Sequence, residues 1–307
     1  MISAMTPQRG RVVAPLICLV TAALALAMSA CSSAAMGKNS AGQLTVVASF
    51  YPLQFAAEQI GGGHVAVTSL TRPGAEPHDI ELTTHDVATV SKASLVIYEK
   101  GLQSAVDQAA ESQAGDRALN VAPAADLNLK LVSGAVDPHF WLDPQRYSAV
   151  ANEIAARLAS ADAGHKADYQ KNAKAFEARL ATLSRDVTTG LATCQHRELV
   201  TSHAAFGYLA QRFGMTQVAI NGISPEQEPN AAELASISGY VRAHGITTIY
   251  AETLVSPAIA QTVASETGAT VATLDPVEGL TRLSKGRDYF EVMRANLTAL
   301  RAGQGCS

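Results

Sequence analysis

Three of the eight histidines sit in segments that restrict them. His78 lies in EPHDIE, His139 in DPHFWLDP and His203 in TSHAAFGYL, and Asp275 closes the segment TVATLDP. An Asp-Pro pair pushes the residue before proline out of the helical region and fixes the proline's own φ. His139 is bracketed by two such pairs, Asp137-Pro138 and Asp143-Pro144, and so is held in a loop of little freedom. That suits a metal ligand, although an ordinary turn would look the same. Three imidazole nitrogens and one carboxylate oxygen suit Zn²⁺ in tetrahedral geometry. Taken singly, each residue reads equally well as a satisfied polar loop residue. The case for a metal rests on the four falling at matching positions.

Those positions are set by the surrounding elements. Strand patterns run over Leu44–Phe50, Val65–Leu70 and Leu95–Glu99, with helical stretches Leu53–Ile60, Asp86–Lys92 and Gln103–Glu111 between and after them. Alternation of this kind implies a parallel sheet with right-handed crossovers. A helix Tyr147–Leu158 follows. From His165 to Thr189 there is then neither proline nor glycine, and Tyr169, Ala173, Phe176, Leu180, Leu183 and Val187 recur at steps of four and three. This is one apolar stripe on a helix roughly 40 Å long, with Asp162 as its expected N-cap. Alternation then resumes, with strands Glu198–His203, Gln217–Ile220, Ile246–Glu252 and Thr270–Pro276 and helices Asn230–His244, Pro257–Thr267 and Asp288–Leu300. The expected fold class is α/β: two β/α lobes with parallel sheets, joined by one long rigid helix. The segments are 44–161 for the first lobe, 162–190 for the helix and 191–307 for the second. His78, His139, His203 and Asp275 each fall in a loop at or beyond the carboxyl end of a strand, the edge at which open α/β sheets bind ligands. If the lobes face each other, the four converge in the cleft. His64, His85, His165, His196 and His244 are expected to be solvated.

The N-terminus reads as an export signal over residues 1–30. Arg9 and Arg11 precede an apolar run from Val12 to Met28, followed by Ser29, Ala30 and Cys31. Cysteine directly after Ser-Ala resembles a bacterial lipobox, with Met28 where leucine is usual, and makes Cys31 the lipidation candidate. Residues 31–43 then read as a small, polar tether. Of the four cysteines, Cys18 leaves with the signal, and the remaining pair, Cys194 and Cys306, favours a disulfide in an exported chain. Hydrophobic residues make up 48% and charged residues 16%, which suits a globular protein. A net charge of −4 without a basic patch argues against nucleic-acid binding. No second apolar run approaches the ~20 residues that span a bilayer.

The set EPHDIE, DPHFWLDP, TSHAAFGYL and LDP resembles the zinc- and manganese-binding solute-binding lipoproteins of ABC importers, the cluster A-I or ZnuA/TroA-like family, from Leu44 to Leu300. The resemblance implies that His78, His139, His203 and Asp275 are the metal ligands, and that Glu252, in YAETLVSP, lies near the site and off the metal. It implies a non-enzymatic receptor, expected as a monomer. Such a receptor is held by its lipid outside the cytoplasmic membrane or in the periplasm, and hands its ion to a membrane permease. Histidine at the third ligand position favours zinc over manganese. One departure is that the segment Ala118–Val136 holds no histidine, where many zinc members carry a His- and Asp-rich loop. The rival readings are a manganese or iron receptor of the same fold, a zinc hydrolase, and an adhesin or storage protein. No HExxH helix and no evident general base supports the hydrolase.

Overall fold

The computed structural model describes residues 37–131, 134–224 and 229–307, together with Met1, Ile2 and Ala4. Cys31, and nearly all of the expected signal and the start of the tether, lie outside the described residues.

The first lobe opens with β1 (Leu44–Ala48), α1 (Tyr51–Gly61), β2 (Val65–Ser69), α2 (Thr84–Lys92), β3 (Leu95–Tyr98) and α3 (Ser104–Ala109). It continues with β4 (Ala118–Asn120), the single turn α4 (Ala122–Ala125) and α5 (Pro144–Ala161). The long helix α6 spans Lys166–Gly190. The second lobe follows as β5 (Glu198–Thr201), α7 (Gly207–Phe213), β6 (Thr216–Ala219) and α8 (Ala231–Ala243). It ends with β7 (Thr248–Ala251), α9 (Ala258–Thr267), β8 (Thr270–Thr273) and α10 (Tyr289–Gly303). Each lobe holds a four-stranded sheet, ordered β2-β1-β3-β4 and β6-β5-β7-β8, and every pairing is parallel. The two-lobed α/β fold with a long connecting helix is therefore as expected from the sequence. Parallel pairing puts all carboxyl strand ends on one edge of each sheet, and the loops that leave those edges carry the candidate ligands.

The stripe on α6 is buried at all six positions: Tyr169, Ala173, Phe176, Leu180, Leu183 and Val187. Phe176 packs edge-on to Phe55 of α1, Tyr147 of α5 and Phe290 of α10, with ring centroids 5.4–5.9 Å apart. One apolar cluster thus runs through both lobes. Asp162 does not cap the long helix in the expected way. Its carboxylate meets side chains: Tyr169 donates to it at 3.0 Å, His165 Nδ1 lies 2.7 Å away and Lys38 Nζ 3.3 Å. A short 3₁₀ turn, Ala163–His165, intervenes before α6 begins. Cys194 and Cys306 form a disulfide across 112 residues. It joins the segment before β5 to the chain beyond α10.

Candidate metal site

His139 is placed by both Asp-Pro turns. Asp137 Oδ1 accepts from the backbone N–H of His139 at 2.9 Å and lies 2.8 Å from its Nδ1. Asp143 caps α5 by accepting from the Gln145 N–H at 2.9 Å, and also receives Arg212 of α7 through Nε at 2.9 Å and a terminal nitrogen at 2.8 Å. Between the turns, Trp141 donates its Nε1–H to the Pro276 carbonyl at 2.8 Å, and its own carbonyl accepts from Tyr289 Oη at 2.6 Å. The loop is therefore fastened to the second lobe and fixed within itself.

His203 leaves β5 directly. Its Nδ1 lies 2.6 Å from Glu252 Oε1, which also accepts from Ser202 Oγ at 3.0 Å. In both histidines a carboxylate on Nδ1 fixes the ring and leaves Nε2 facing the cleft, the usual arrangement behind a metal-bound imidazole. Glu252 therefore stands beside the site as the sequence suggested, acting through His203. His78 comes from the loop after β2, where its backbone N–H donates to Glu76 Oε1 at 2.9 Å.

The fourth carboxylate is Glu278. His78, His139, His203 and Glu278 each offer one donor atom, and the four donors lie within 4.8 Å of one another. Glu278 Oε1 is 3.0 Å from His139 Nε2, 3.6 Å from His203 Nε2 and 3.6 Å from His78 Nε2, and the Nε2 atoms of His78 and His139 are 3.3 Å apart. A tetrahedron with metal–ligand bonds of about 2 Å has edges of about 3.3 Å. The donors are thus close to the spacing that one ion requires. His203 Nε2 and both Glu278 oxygens are buried without a hydrogen-bond partner, which is costly unless something occupies the space between them.

Asp275, the carboxylate expected from the sequence, stands outside this group. Its Oδ1 accepts from the Val277 N–H at 2.8 Å, and its backbone N–H and C=O are both held by the Asn296 side chain, at 2.9 and 2.7 Å. Val277 is left-handed, with φ 58°, a conformation rare for a β-branched residue. Asp275 clasps that turn, and the turn swings Glu278 into the cleft. The residue at the strand end positions the ligand three places further on. A sequence cue existed in LDPVEG, where the only nearby carboxylate besides Asp275 is Glu278.

The charges are interlocked. Burial works against ionising Glu278, but the imidazoles of His139, His203 and His78 facing it hold its carboxyl well below the usual range. Burial lowers His203 and the Glu252 charge raises it, leaving it at about 10. His139 is likewise opposed by burial and raised in net by Asp137 and Glu278. Glu76, desolvated and facing Glu278, is pushed up to about 8. The other five histidines are elsewhere. His64 meets Asp168 at 3.0 Å and stacks on His165, His244 stacks on Tyr240, His85 is exposed and His196 is half-buried.

Two parallel-sheet lobes, one helical spine and an interlobe cluster of three imidazoles and a carboxylate together make a site that could hold one metal ion. The chain belongs to the family described as zinc-uptake complex component A, periplasmic, which it matches over residues 46–303. It is 35% identical over 303 residues to the high-affinity zinc uptake system protein ZnuA of Bacillus subtilis, covering 92% of this chain and 95% of that protein. It is 33% identical over 289 residues to the zinc-binding protein AdcA of Streptococcus pyogenes, but spans only 56% of that protein's length. Among solved structures, the Zn(II)-bound ZnuA-like domain of Streptococcus pneumoniae AdcA is 34% identical with a TM-score of 0.74, covering 86% of this chain and 99% of that one. The laminin-binding protein Lmb of Streptococcus agalactiae, described as an adhesin with metal-transporting activity, gives 34% identity and a TM-score of 0.78, covering 85% of this chain and 99% of that one.

Proposed function

We propose that this protein captures Zn²⁺ outside the cytoplasmic membrane and delivers it to an ABC-importer permease for zinc uptake. His78, His139, His203 and Glu278 are the ligands in this reading. The observation that carries it is the mutual spacing of four donors, three of them on buried residues, drawn from four loops of two lobes. Three imidazoles against one carboxylate favour zinc over manganese, which prefers oxygen. Four protein donors complete a tetrahedral shell, whereas hydrolytic zinc keeps a position open for water, so the site reads as a carrier. Names of relatives agree with this, since several are zinc-uptake or zinc-binding proteins. Cys31, if lipidated, holds the chain at the membrane face; the permease takes the ion there, and the receptor works as a monomer.

His78 is the gate ligand in this reading. Its side chain keeps 6% exposure where those of His139, His203 and Glu278 keep none. Among the described residues no carboxylate lies on its Nδ1, unlike those of His139 and His203. Zinc enters and leaves past it, by loop-scale movement around a fixed interior.

Elemental analysis of protein loaded and then passed through a desalting column tests the reading. One zinc per chain is expected, outcompeting manganese at equal concentration, with each single alanine substitution at the four ligands reducing retention. Manganese retained in preference to zinc, or metal held equally by all four variants, would refute it. The only tryptophan, Trp141, has its ring 5.2 Å from that of His139, so zinc titration should change its fluorescence, and His139→Ala should remove that response at micromolar metal.

A further inference from the structure

Gly207 opens α7, four residues after His203, and its φ is not among the positive ones. Nothing local calls for glycine: alanine is the better residue in a helix. The requirement comes from the facing segment. A Cβ at position 207 would lie 2.3 Å from Asp137 Oδ2, while the next atom from another residue, Leu129 Cδ1, is at 3.4 Å. Asp137 is not free to move aside. It is buried, and its Oδ1 is committed to both the backbone N–H and the Nδ1 of His139.

We infer that Gly207 is a positioning residue for metal capture: by lacking a side chain it lets α7 close over the Asp137 carboxylate that holds His139 with Nε2 toward the site. The inference rests on the proposal that His139 and His203 are ligands of the ion. Three further contacts seat the same helix on the same segment. The Leu129 N–H donates to Tyr208 Oη at 3.2 Å, the Arg146 guanidinium lies over the Tyr208 ring at 4.4 Å, and Arg212 grips Asp143 with two nitrogens. Thus the helix that follows His203 is built onto the loop that carries His139. The distance between helix and loop sets how far apart the two imidazoles stand, and a side chain at position 207 would press on the carboxylate that orients one of them. Nothing larger than hydrogen fits without turning the carboxylate off the ring.

A double-mutant cycle on the full chain tests this, with Zn²⁺ affinity measured by chelator competition and metal-free melting followed in parallel. Gly207→Ala should weaken zinc binding by roughly ten- to hundredfold, the range seen when the outer partner of a metal-bound histidine is disturbed. Its metal-free melting temperature should fall modestly, from overpacking one methyl against a buried oxygen, and should recover in the Asp137→Ala background. Asp137→Ala will itself weaken binding, but in that background Gly207→Ala should cost nothing more, because the clashing oxygen is gone. In Asp137→Asn, which keeps the bulk, the penalty should persist. Wild-type affinity in Gly207→Ala, or the same penalty in the Asp137→Ala background as in the wild type, overturns the inference while leaving zinc capture standing. Should Gly207→Ala fail to fold while Gly207→Ala with Asp137→Ala folds, the clash itself is confirmed; failure of both overturns it. A wild-type chain that retains no zinc overturns the capture reading, and this inference with it.

Discussion

Glu278 and Asp275 divide one task between them. Glu278 places a buried carboxylate among the three imidazoles, whereas Asp275 supplies the clasp that turns the chain. Their substitutions should therefore differ in kind. Glu278→Gln is expected to lower zinc affinity by about a hundredfold or more, beyond the usual cost of an outer partner. Asp275→Asn retains an oxygen for the Val277 N–H and should cost little, while Asp275→Ala should approach the Glu278 loss by freeing the turn. Chelator competition on the three variants checks this ordering, and an Asp275→Asn loss equal to that of Glu278→Gln would contradict it. The proton balance gives a second expectation. Burial lowers His203 but the Glu252 charge raises it to about 10, so zinc must displace a proton from this imidazole. In the metal-free chain, the stability gained from this pairing is complete below the unfolded histidine value of about 6.5 and is lost as pH rises through about 10. Zinc-linked stability runs the other way and grows with pH. The gap between zinc-loaded and metal-free melting temperatures should widen from pH 6 to pH 9; a gap constant over that range would count against an imidazole-rich site. Three of the four clustered residues were legible in the sequence because their loops fall at matching positions beyond strand ends and their motifs resemble one family; singly, none of them was distinctive. The fourth was not, because its placement depends on a left-handed valine, a conformation that residue type argues against.

Elements were legible in proportion to their length. The α6 stripe was readable because 25 residues repeat one apolar period without a breaker, and all six stripe positions are buried. β4, with three residues, and α7, with seven beginning at a glycine, carry too short a period to register. They matter all the same: α7 brackets the His139 loop, and β4 completes the first sheet. Asp162 shows a different limit. A carboxylate before a helix is a reasonable cap, but here Tyr169, His165 and Lys38 compete for it and win. The helix also supports the lobes jointly, since Phe176 meets aromatic rings from α1, α5 and α10. Phe176→Ala should accordingly cost about 3–5 kcal/mol, whereas Lys174→Ala on the exposed face should stay within about 0.5 kcal/mol. Urea midpoints of the two variants give the comparison. A small loss at Phe176 would mean the shared core contributes less than its burial implies.

At the scale of the whole molecule, the binding edge and the covalent tie are on opposite sides of the second sheet. Every candidate donor of that lobe leaves a carboxyl strand end: His203 follows β5 and Glu278 follows β8. Cys194 precedes β5, at the amino edge, and Cys306 lies three residues past the end of α10. The disulfide therefore closes the lobe from behind without touching the metal loops. Closing a loop of 112 residues stabilises by about 4–5 kcal/mol in the chain-entropy account, mainly by restricting the unfolded chain. Little of that depends on the native cleft, where Trp141, Pro276 and Tyr289 already bolt one lobe to the other. Replacing both cysteines by serine should lower the urea midpoint by an amount of that order, yet leave the zinc dissociation constant of the folded fraction within about twofold. Zinc should also restore much of the lost stability by mass action, about 2.7 kcal/mol at a hundredfold excess over its dissociation constant. If the serine pair weakens zinc binding as strongly as it weakens folding, the two edges are mechanically coupled, and the picture of a fixed interior served by one movable histidine loop must be replaced by one in which the second lobe moves as a body.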